Sequence, residues 1–360
     1  MHGISLDDLY LNYDPAAPQQ RFRDAGIGAA LASGDRLPSP VPWPRPKAPT
    51  AVRLSQRPRE TDSLQRFRGY EALVMTWTTA EATTLATLFT PDNPLSEWYE
   101  YRHNVASYVP EVTNRDAPFN SDERDMIRYH HSLGLYFPCK IGSTRVLLIK
   151  SGLHLDKDGP KMPVRRLITE LLDTIRPKVL ITTGTGGGIG ADVRLGDVVV
   201  AGLTKFDCTS QFKKQPFAHA QYRTSRVPAG ALAAITPKLL EPNASRIKGG
   251  RLVPKIWEGQ TQAIVTTDFF AFDDSRDTYK LEGPGNRVCD MGDAMVGLIA
   301  HSRRLPWYAI RNASDPQIAN PQNNIKEAGD VAGTIYTDYG AFTTAASVIA
   351  TWAVLTHLRL

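Results

Sequence analysis

A run of glycines between two apolar strands is the segment of this chain best suited to binding a small molecule. Val179–Thr183 is an apolar stretch that predicts a buried strand, and Gly184-Thr185-Gly186-Gly187-Gly188 follows it directly. Because glycine has no Cβ, such a run lets backbone N–H groups turn toward one point and lets a ligand approach closely. The carboxyl end of a strand is also where α/β proteins bind small polar ligands. The sequence therefore predicts a binding loop at Gly184–Gly188, with a purely structural turn as the alternative.

Two nucleotide-binding motifs contain similar glycine runs, and neither fits this segment. The phosphate-binding loop of nucleotide hydrolases requires Gly-Lys-Ser/Thr after the run, and this chain lacks it. The dinucleotide-binding fingerprint is met loosely by Gly186, Gly188 and Ala191, but that fingerprint must open a helix. The turn at Leu195-Gly196-Asp197 and the apolar stretch Val198–Ala201 instead predict a second strand. We therefore exclude a Rossmann-type site.

The glycine run and its two strands resemble the nucleoside phosphorylase and nucleosidase superfamily, which carries a G-[ST]-x-G-G loop between such strands. Three other segments resemble that family in the same order along the chain. They are LVMTWTTAEATTLATLF from Leu73, AIVTTDFFAF at Ala263–Phe272, and VCDMGDAMVGLIAHSRRLPWYAIRNASD at Val288–Asp315. Together the matches extend over residues 70–360. The resemblance is to nucleosidases of the methylthioadenosine/adenosylhomocysteine type and to purine nucleoside phosphorylases.

The resemblance implies a general acid at Asp315 and a general base at Glu81. Cleavage of an N-glycosidic bond passes through a sugar cation, so the leaving base must be protonated while a nucleophile reaches the sugar from the other face. Asp315 matches the family aspartate that protonates the purine, and Glu81 matches the glutamate that activates the hydrolytic water. The alternative at Asp315 is an Asp-Pro turn signal, since Pro316 follows it. The alternative at Glu81 is an acidic residue that the first turn of a helix favours.

The same resemblance implies a set of contacts with the nucleoside. The expected substrate-binding residues are Thr185, Gly186, Gly187, Phe270, Met291, Asp293 and Ser314. The hydroxyl of Thr185 and the glycine N–H groups would face the water or the ribose. Phe270 matches the aromatic residue that stacks on the base, and Met291 matches the methionine under the ribose. Core packing is the alternative interpretation of both side chains.

The chain departs from the family at the position that holds the ribose hydroxyls. Where the family has Asp-Met-Glu, this sequence reads Asp290-Met291-Gly292-Asp293, so a glycine replaces the ribose-binding glutamate. Three explanations are open, and the first is favoured. Asp293 reaches the hydroxyls from the next position, the substrate has an altered or missing hydroxyl, or the protein binds a nucleoside without efficient turnover.

Hydrolysis is favoured over phosphorolysis because the motifs lack the positive charges of a phosphate site. The family's phosphorylases place an arginine where this chain has Thr182, and no arginine occurs in the turn Thr78–Glu81. A phosphate dianion beside Glu81 would be repelled. The residues that keep phosphorolysis open lie in inserted regions and are Arg102, His103 and Arg223. The expected protein is an N-ribosyl hydrolase for a purine nucleoside or a 5′-modified nucleoside, with a purine nucleoside phosphorylase or a nucleoside-binding and sensing module as alternatives.

Strands that alternate with helices predict the frame that positions these residues. The predicted strands are Ala72–Thr76, Arg145–Lys150, Val179–Thr183, Val198–Leu203, Gln262–Thr266 and Trp307–Arg311. The predicted helices are Ala80–Phe89, Pro163–Ile175, Asp293–Arg303 and Ala341–His357. Such alternation indicates a sheet that is covered on both faces. The expected fold is α/β, a nucleoside phosphorylase-like three-layer fold with a central mixed, mostly parallel sheet flanked by helices.

The chain is expected to divide into an N-terminal arm, residues 1–69, and an α/β domain, residues 70–360. The arm matches no fold, although Ser5–Leu11 and Gln20–Leu31 predict short helices. Its alternating prolines at residues 37–49 favour an extended linker. Within the domain, residues 94–135 and 205–260 are expected to be insertions.

Composition restricts the partners. Hydrophobic residues make up 42% of the chain, and its net charge of +5 is scattered, which argues against nucleic acid as a partner. The three cysteines lie far apart and indicate neither a disulfide framework nor a metal site, and no cofactor is expected. The sequence shows no signal segment or membrane span, which favours a cytoplasmic location. The expected partner is a small nucleoside, and the resemblance implies a homo-oligomer, a dimer or a hexamer.

Overall fold

The computed structural model of the chain describes residues 37–113, 132–155, 158–276 and 279–359. The two expected arm helices lie outside these residues, as does part of the first expected insertion. The strands are β1 (Pro49–Ala51), β2 (Ala72–Thr76), β3 (Tyr99–Tyr101), β4 (Gly134–Ile141), β5 (Thr144–Ser151), β6 (Val179–Gly188), β7 (Val198–Asp207), β8 (Gln221–Arg223), β9 (Ile256–Thr267), β10 (Asn286–Asp290) and β11 (Trp307–Asp315). The α-helices are α1 (Thr79–Phe89), α2 (Val105–Tyr108), α3 (Pro163–Ile175), α4 (Pro237–Ala244), α5 (Asp293–Arg303) and α6 (Ile325–Leu355). Single 3-10 turns occur at Leu64–Phe67, Leu95–Glu97, Val109–Glu111 and Leu232–Ala234.

The strands of the described residues form one 11-stranded sheet. Nine of them follow the order β1-β4-β5-β2-β6-β10-β9-β7-β11, while β3 pairs with β4 and β8 pairs with β7. Because β6 also pairs with β11, the five strands β6, β10, β9, β7 and β11 close into a barrel. Parallel pairs join β5, β2, β6 and β11 through the centre, and antiparallel pairs lie toward β1 and where β10 meets β6. The sheet is therefore mixed and helices flank it, which confirms the expected α/β fold class.

Helices cover both faces of the sheet, because each helix buries its apolar residues against the strands. In α3 the buried positions Val164, Leu167, Ile168 and Leu171 follow the three- and four-residue spacing of one helix face. They pack in the same core as the apolar side of α5. The opposite core contains α1 and the C-terminal half of α6, which is buried all round from Ala341 to Leu355. None of the helices in the described ranges combines the length and apolarity needed to cross a bilayer.

Strand β6 carries the glycine run, and it changes neighbours along one edge. Its first residues, to Thr182, pair with β2, whereas Gly187 and Gly188 pair with β10. Along its other edge β6 runs parallel to β11, from Leu180 opposite Trp307 to Gly187 opposite Asp315. The loop predicted at Gly184–Gly188 is therefore wrong. The glycines are strand residues, because hydrogen bonds to β11 continue through them.

The glycines of β6 allow neighbouring groups to approach its backbone closely, and they do not form a turn. Gly184 has a φ of 150°, and a Cβ there would lie 2.2 Å from Oε1 of Glu81. A Cβ on Gly186 would lie 2.5 Å from the carbonyl oxygen of Cys289. The strand therefore accepts the carboxylate of Glu81 at the point where β2 has ended and β10 has not yet begun.

Candidate active site

A cavity with about 800 Å³ of empty space opens at the carboxyl ends of β2, β6 and β11. Most of the expected site residues line it, namely Glu81, Thr185, Gly186, Gly187, Phe270, Met291, Ser314 and Asp315. The structure thus brings together, in one cavity, residues that are separated by more than two hundred positions in the chain.

Glu81 lies in the first turn of α1, 2% exposed, and both its carboxylate oxygens are hydrogen-bonded. Oε2 accepts from Thr76 Oγ1 at 2.6 Å and from the N–H groups of Trp77 and Thr78, each at 2.9 Å. Oε1 accepts from the N–H of Thr185 at 2.6 Å, from its hydroxyl at 2.8 Å, and from Arg311 Nη1 at 3.2 Å. The carboxylate therefore caps its own helix and also joins α1 to β6 and β11.

Arg311 is 3% exposed and holds three buried carboxylates together. Besides Glu81, it donates to Asp293 through Nε at 2.9 Å and Nη2 at 2.7 Å, and Nη2 lies 3.4 Å from Asp290 Oδ2. Burial would raise the pKa of Glu81, but the charge of Arg311 and the hydrogen bonds from Thr76 and Thr185 outweigh it and lower that pKa. At Asp290, burial and the nearby charge of Asp293 raise the pKa despite Arg311. One guanidinium thus faces three acidic groups, of which Asp290 is the one whose pKa is raised.

Asp315 is the last residue of β11 and is buried at the other end of the cavity, 6% exposed. Its Oδ1 accepts one hydrogen bond from the Ser314 hydroxyl at 3.0 Å. Burial raises the pKa of Asp315 to about 7, against the smaller opposing effect of Ser314. A carboxyl group of this kind holds a proton near neutral pH and can give it up, which is what a general acid requires.

Strand geometry separates Asp315 from the Glu81 cluster, which consists of Glu81, Asp290, Asp293 and Arg311. Glu81 binds the N–H of Thr185, and Asp315 pairs with Gly187 two residues further along β6. Two residues of a strand span roughly 6–7 Å. The carboxyl groups of Asp315 and Glu81 therefore belong to different ends of the same short stretch of β6.

The walls between these groups are apolar and aromatic. Phe270 is half-buried at the end of β9, whereas Phe272, two residues on, is 3% exposed and packs with Ile318. Met291 and Gly292 line the cavity where β10 gives way to α5. The ring of Tyr336, from α6, closes it near Thr78, whose hydroxyl lies 2.8 Å from the Tyr336 hydroxyl.

Asp293 is the expected site residue that the structure does not bring to the cavity. It is fully buried, and both of its carboxylate oxygens accept from Arg311. Successive helix residues point about 100° apart, so the helix start that presents Gly292 to the cavity turns Asp293 inward. Asp293 therefore pairs with Arg311 and does not face the cavity, where the sugar hydroxyls were expected.

Sequence reasoning missed several cavity residues, of which Arg311 and Trp77 matter most. Arg311 lies four residues before Asp315 in the segment Val288–Asp315 that resembles the family, so that segment already contained it. Trp77 follows β2 directly, and a residue just beyond a strand's carboxyl end could have been suspected. His154, Cys289 and Tyr336 also line the cavity, and no local pattern indicated them.

The three residues named as sources of phosphate-binding charge lie elsewhere. Arg102 pairs with Glu60 and Glu100 on the surface. The ring of His103 contacts the Thr61 carbonyl, and Arg223 donates to the carbonyl of Gln260. In the described part of the chain, Arg311 is the only arginine or lysine that lines the cavity, and it is occupied by carboxylates.

The chain is similar to one protein family and to several nucleosidases. The family model of the phosphorylase superfamily matches residues 108–341. The 5'-methylthioadenosine/S-adenosylhomocysteine nucleosidase of Actinobacillus succinogenes is 24% identical over 198 residues, which are 51% of this chain and 75% of the relative. The protein of the same description from Shewanella halifaxensis is 28% identical over 174 residues, or 47% and 68% of the two chains.

Among solved structures, the chain is similar to a 5'-methylthioadenosine/S-adenosylhomocysteine nucleosidase from Neisseria meningitidis in complex with methylthio-immucillin-A. The match has a TM-score of 0.48 and 15% identity, and it covers 80% of this chain and 100% of that one. A futalosine hydrolase of Helicobacter pylori matches with a TM-score of 0.45 and 11% identity, over 80% and 99% of the two chains.

Proposed function

This chain belongs to the phosphorylase superfamily, and from that premise we propose that it is an N-ribosyl hydrolase, a nucleosidase that acts on a purine nucleoside or a 5′-modified nucleoside. The observation that carries the proposal is the buried carboxyl of Asp315, whose pKa burial raises to about 7, in the same cavity as the carboxylate of Glu81. The nucleosidases named above support it as relatives.

In this proposal Asp315 donates its proton to the leaving purine. The hydrogen bond from Ser314 Oγ holds Oδ1, which leaves the proton on Oδ2, the oxygen nearer the glycines of β6. Phe270, on the same side of the cavity, provides a ring on which the base stacks. Protonation makes the base a better leaving group as the C1′–N bond breaks.

The Glu81 cluster is proposed to activate the water on the other face of the sugar. The Thr185 hydroxyl donates to Glu81 and keeps its lone pairs for a water, so it positions that water beside the carboxylate. Glu81 takes the water's proton as the oxygen bonds to C1′. The negative charges of Glu81 and Asp293, which share the single positive charge of Arg311, also stabilise the positive charge that develops on the sugar.

The same charge balance disfavours phosphate as the nucleophile, and this gives the test of the proposed function. We expect free base and free sugar from adenosine or 5′-methylthioadenosine at a rate that does not change between phosphate-free buffer and buffer with phosphate. The measurement is base release by chromatography together with assay of sugar 1-phosphate. A rate that saturates with phosphate, with sugar 1-phosphate as product, would establish the phosphorylase alternative instead.

One observation favours a second candidate, a nucleoside-binding module without turnover. The carboxylate of Glu81 accepts six hydrogen bonds, so a water must displace one donor before Glu81 can act as a base. If nucleosides bind to the wild-type protein at equilibrium and no base is released with or without phosphate, this candidate replaces the hydrolase.

A further inference from the structure

A second cavity adjoins the candidate active site, and the two cavities take residues from the same segments. Asp315 lines the first cavity, whereas Pro316 and Gln317, which follow it directly, line the second. Helix α6 likewise presents Tyr336 to the first cavity and Tyr339 to the second. The hydrolysis proposed above uses no residue of the second cavity, so a ligand bound there would have a separate role.

Two exposed basic side chains line the second cavity. Arg194 belongs to the loop between β6 and β7, and Lys248 belongs to the loop between α4 and β9. Within the described ranges, neither the guanidinium of Arg194 nor the ammonium of Lys248 has an ion-pair or hydrogen-bond partner. The part of the cavity lining that the structure describes contains no aspartate or glutamate. The charge of the second cavity therefore suits an anionic ligand.

A buried carboxylate fixes the two loops that carry these cations. Asp197 is fully buried and accepts from the N–H of Arg194 at 3.1 Å and from the N–H of Lys255 at 2.8 Å. Its charge is met by Arg251, whose Nε lies 3.2 Å from Oδ1. Because Asp197 is already paired, the side chains of Arg194 and Lys248 keep their charge for a ligand. The loops are thus held in place before any ligand binds, which reduces the cost of ordering a site.

The remaining wall of the second cavity is largely apolar. Val193 and Leu195 are buried, and Ile335 lies one helical turn before the half-buried Tyr339 on α6. Leu195, Ile335 and Tyr339 pack in the same small apolar cluster. The Tyr339 hydroxyl has no hydrogen-bond partner among the residues that the structure describes. This wall therefore offers an aromatic face for stacking and a hydroxyl that can donate to an anion.

We propose that the second cavity binds an organic phosphate that carries an aromatic ring. Its phosphate group lies between Arg194 and Lys248, and its ring packs on Tyr339 and Ile335. A guanidinium donates paired N–H groups to phosphate oxygens, and an ammonium group binds them as a point charge, so the two side chains together suit a dianion. A neutral ring compound would leave both cations without an anion, and a bare phosphate would leave the apolar wall uncovered. The inference goes beyond the proposed function and requires no turnover at Asp315.

The test titrates phenyl phosphate, phenol and inorganic phosphate into the full chain by isothermal calorimetry. We expect phenyl phosphate to bind on the order of tenfold more tightly than either of the other two, because it satisfies both the cations and the apolar wall. Arg194→Gln and Lys248→Gln should each weaken phenyl phosphate binding about fivefold, the usual scale of one exposed ion pair, and the double variant should weaken it by more than about tenfold. Since neither residue lines the active-site cavity, base release should keep its wild-type rate.

Lys213→Gln combined with Lys214→Gln is the matched control, because it removes two exposed positive charges that line neither cavity. This variant should bind phenyl phosphate as the wild type does, and thermal melting checks that all variants fold. Absence of phenyl phosphate binding, unchanged binding in the double variant of Arg194 and Lys248, or an equal loss in the control would each overturn the inference. Inorganic phosphate that binds as tightly as phenyl phosphate would overturn the assignment of an aromatic ligand.

Discussion

Replacement of Asp315 with asparagine is expected to lower base release by a factor of about 10²–10⁴, the usual contribution of a general acid. An amide has the shape of the carboxyl group and can still accept from Ser314, but it has no proton to transfer to the purine. The fold should be retained, because Asp315 forms no ion pair with the residues that the structure describes, and its replacement removes only a buried acid. The measurement is initial-rate kinetics of base release with the purified variant, beside a thermal melt.

The pH dependence of the wild type provides an independent check. Because burial raises the pKa of Asp315 to about 7, the protonated, active fraction should fall as pH rises through 7, and activity should be lost on the alkaline side. Asp192→Asn, which changes an exposed carboxylate, is the control and should keep the wild-type rate and profile. A rate for Asp315→Asn within a few-fold of wild type would remove Asp315 from the role of acid.

Replacement of Arg311 with methionine is expected to lower the free energy of unfolding by about 3–5 kcal/mol. Methionine fills similar volume but leaves Glu81, Asp290 and Asp293 buried without their shared counter-charge. Arg311→Lys should rescue little, because one ammonium group cannot reproduce the paired hydrogen bonds to Asp293. The measurement is urea denaturation at pH 7.

The sign of the pH effect distinguishes charge from packing in this variant. Without Arg311 the buried carboxylates have folded-state pKa values above their unfolded ones, so the stability loss should shrink as pH falls and they become protonated. Arg303→Met is the matched control, since Arg303 pairs with the largely exposed Asp173 and its loss should cost less than about 1 kcal/mol. Equal losses for the two variants, at any pH, would contradict the structural role given to Arg311.

Local sequence predicted many of the elements because their patterns are carried by neighbouring residues. The predicted bounds of β2, α3 and α5 are those of the structure, since each has a clear apolar pattern and a distinct boundary such as Pro163. The start of α6 was placed too late, at Ala341. The helix begins at Ile325, because its N-terminal half is partly exposed and lacks the continuous apolar character of its C-terminal half.

What the sequence could not show depends on contacts between distant residues. Glycine favours turns, so the run at Gly184–Gly188 predicted a loop, whereas its strand conformation follows from pairing with β11. The motif indicated Asp293 as a sugar ligand, but its partner Arg311 is eighteen positions away and was not assigned a role. The contact of Trp77 with Gly292 likewise joins two segments that no local pattern relates.

Asp315, the proposed acid, and Thr185, which is proposed to position the water, lie on one hydrogen-bonded pair of strands, β11 and β6. The cavity walls come from other elements. Trp77 follows β2, Phe270 follows β9, Met291 follows β10, and Tyr336 belongs to α6. Substitutions in these walls can alter which molecule is admitted without moving Asp315 relative to Thr185. The Trp77 ring and Gly292 lie side by side in these walls, so a substitution at either position would reshape the wall and leave the β6–β11 pair in place.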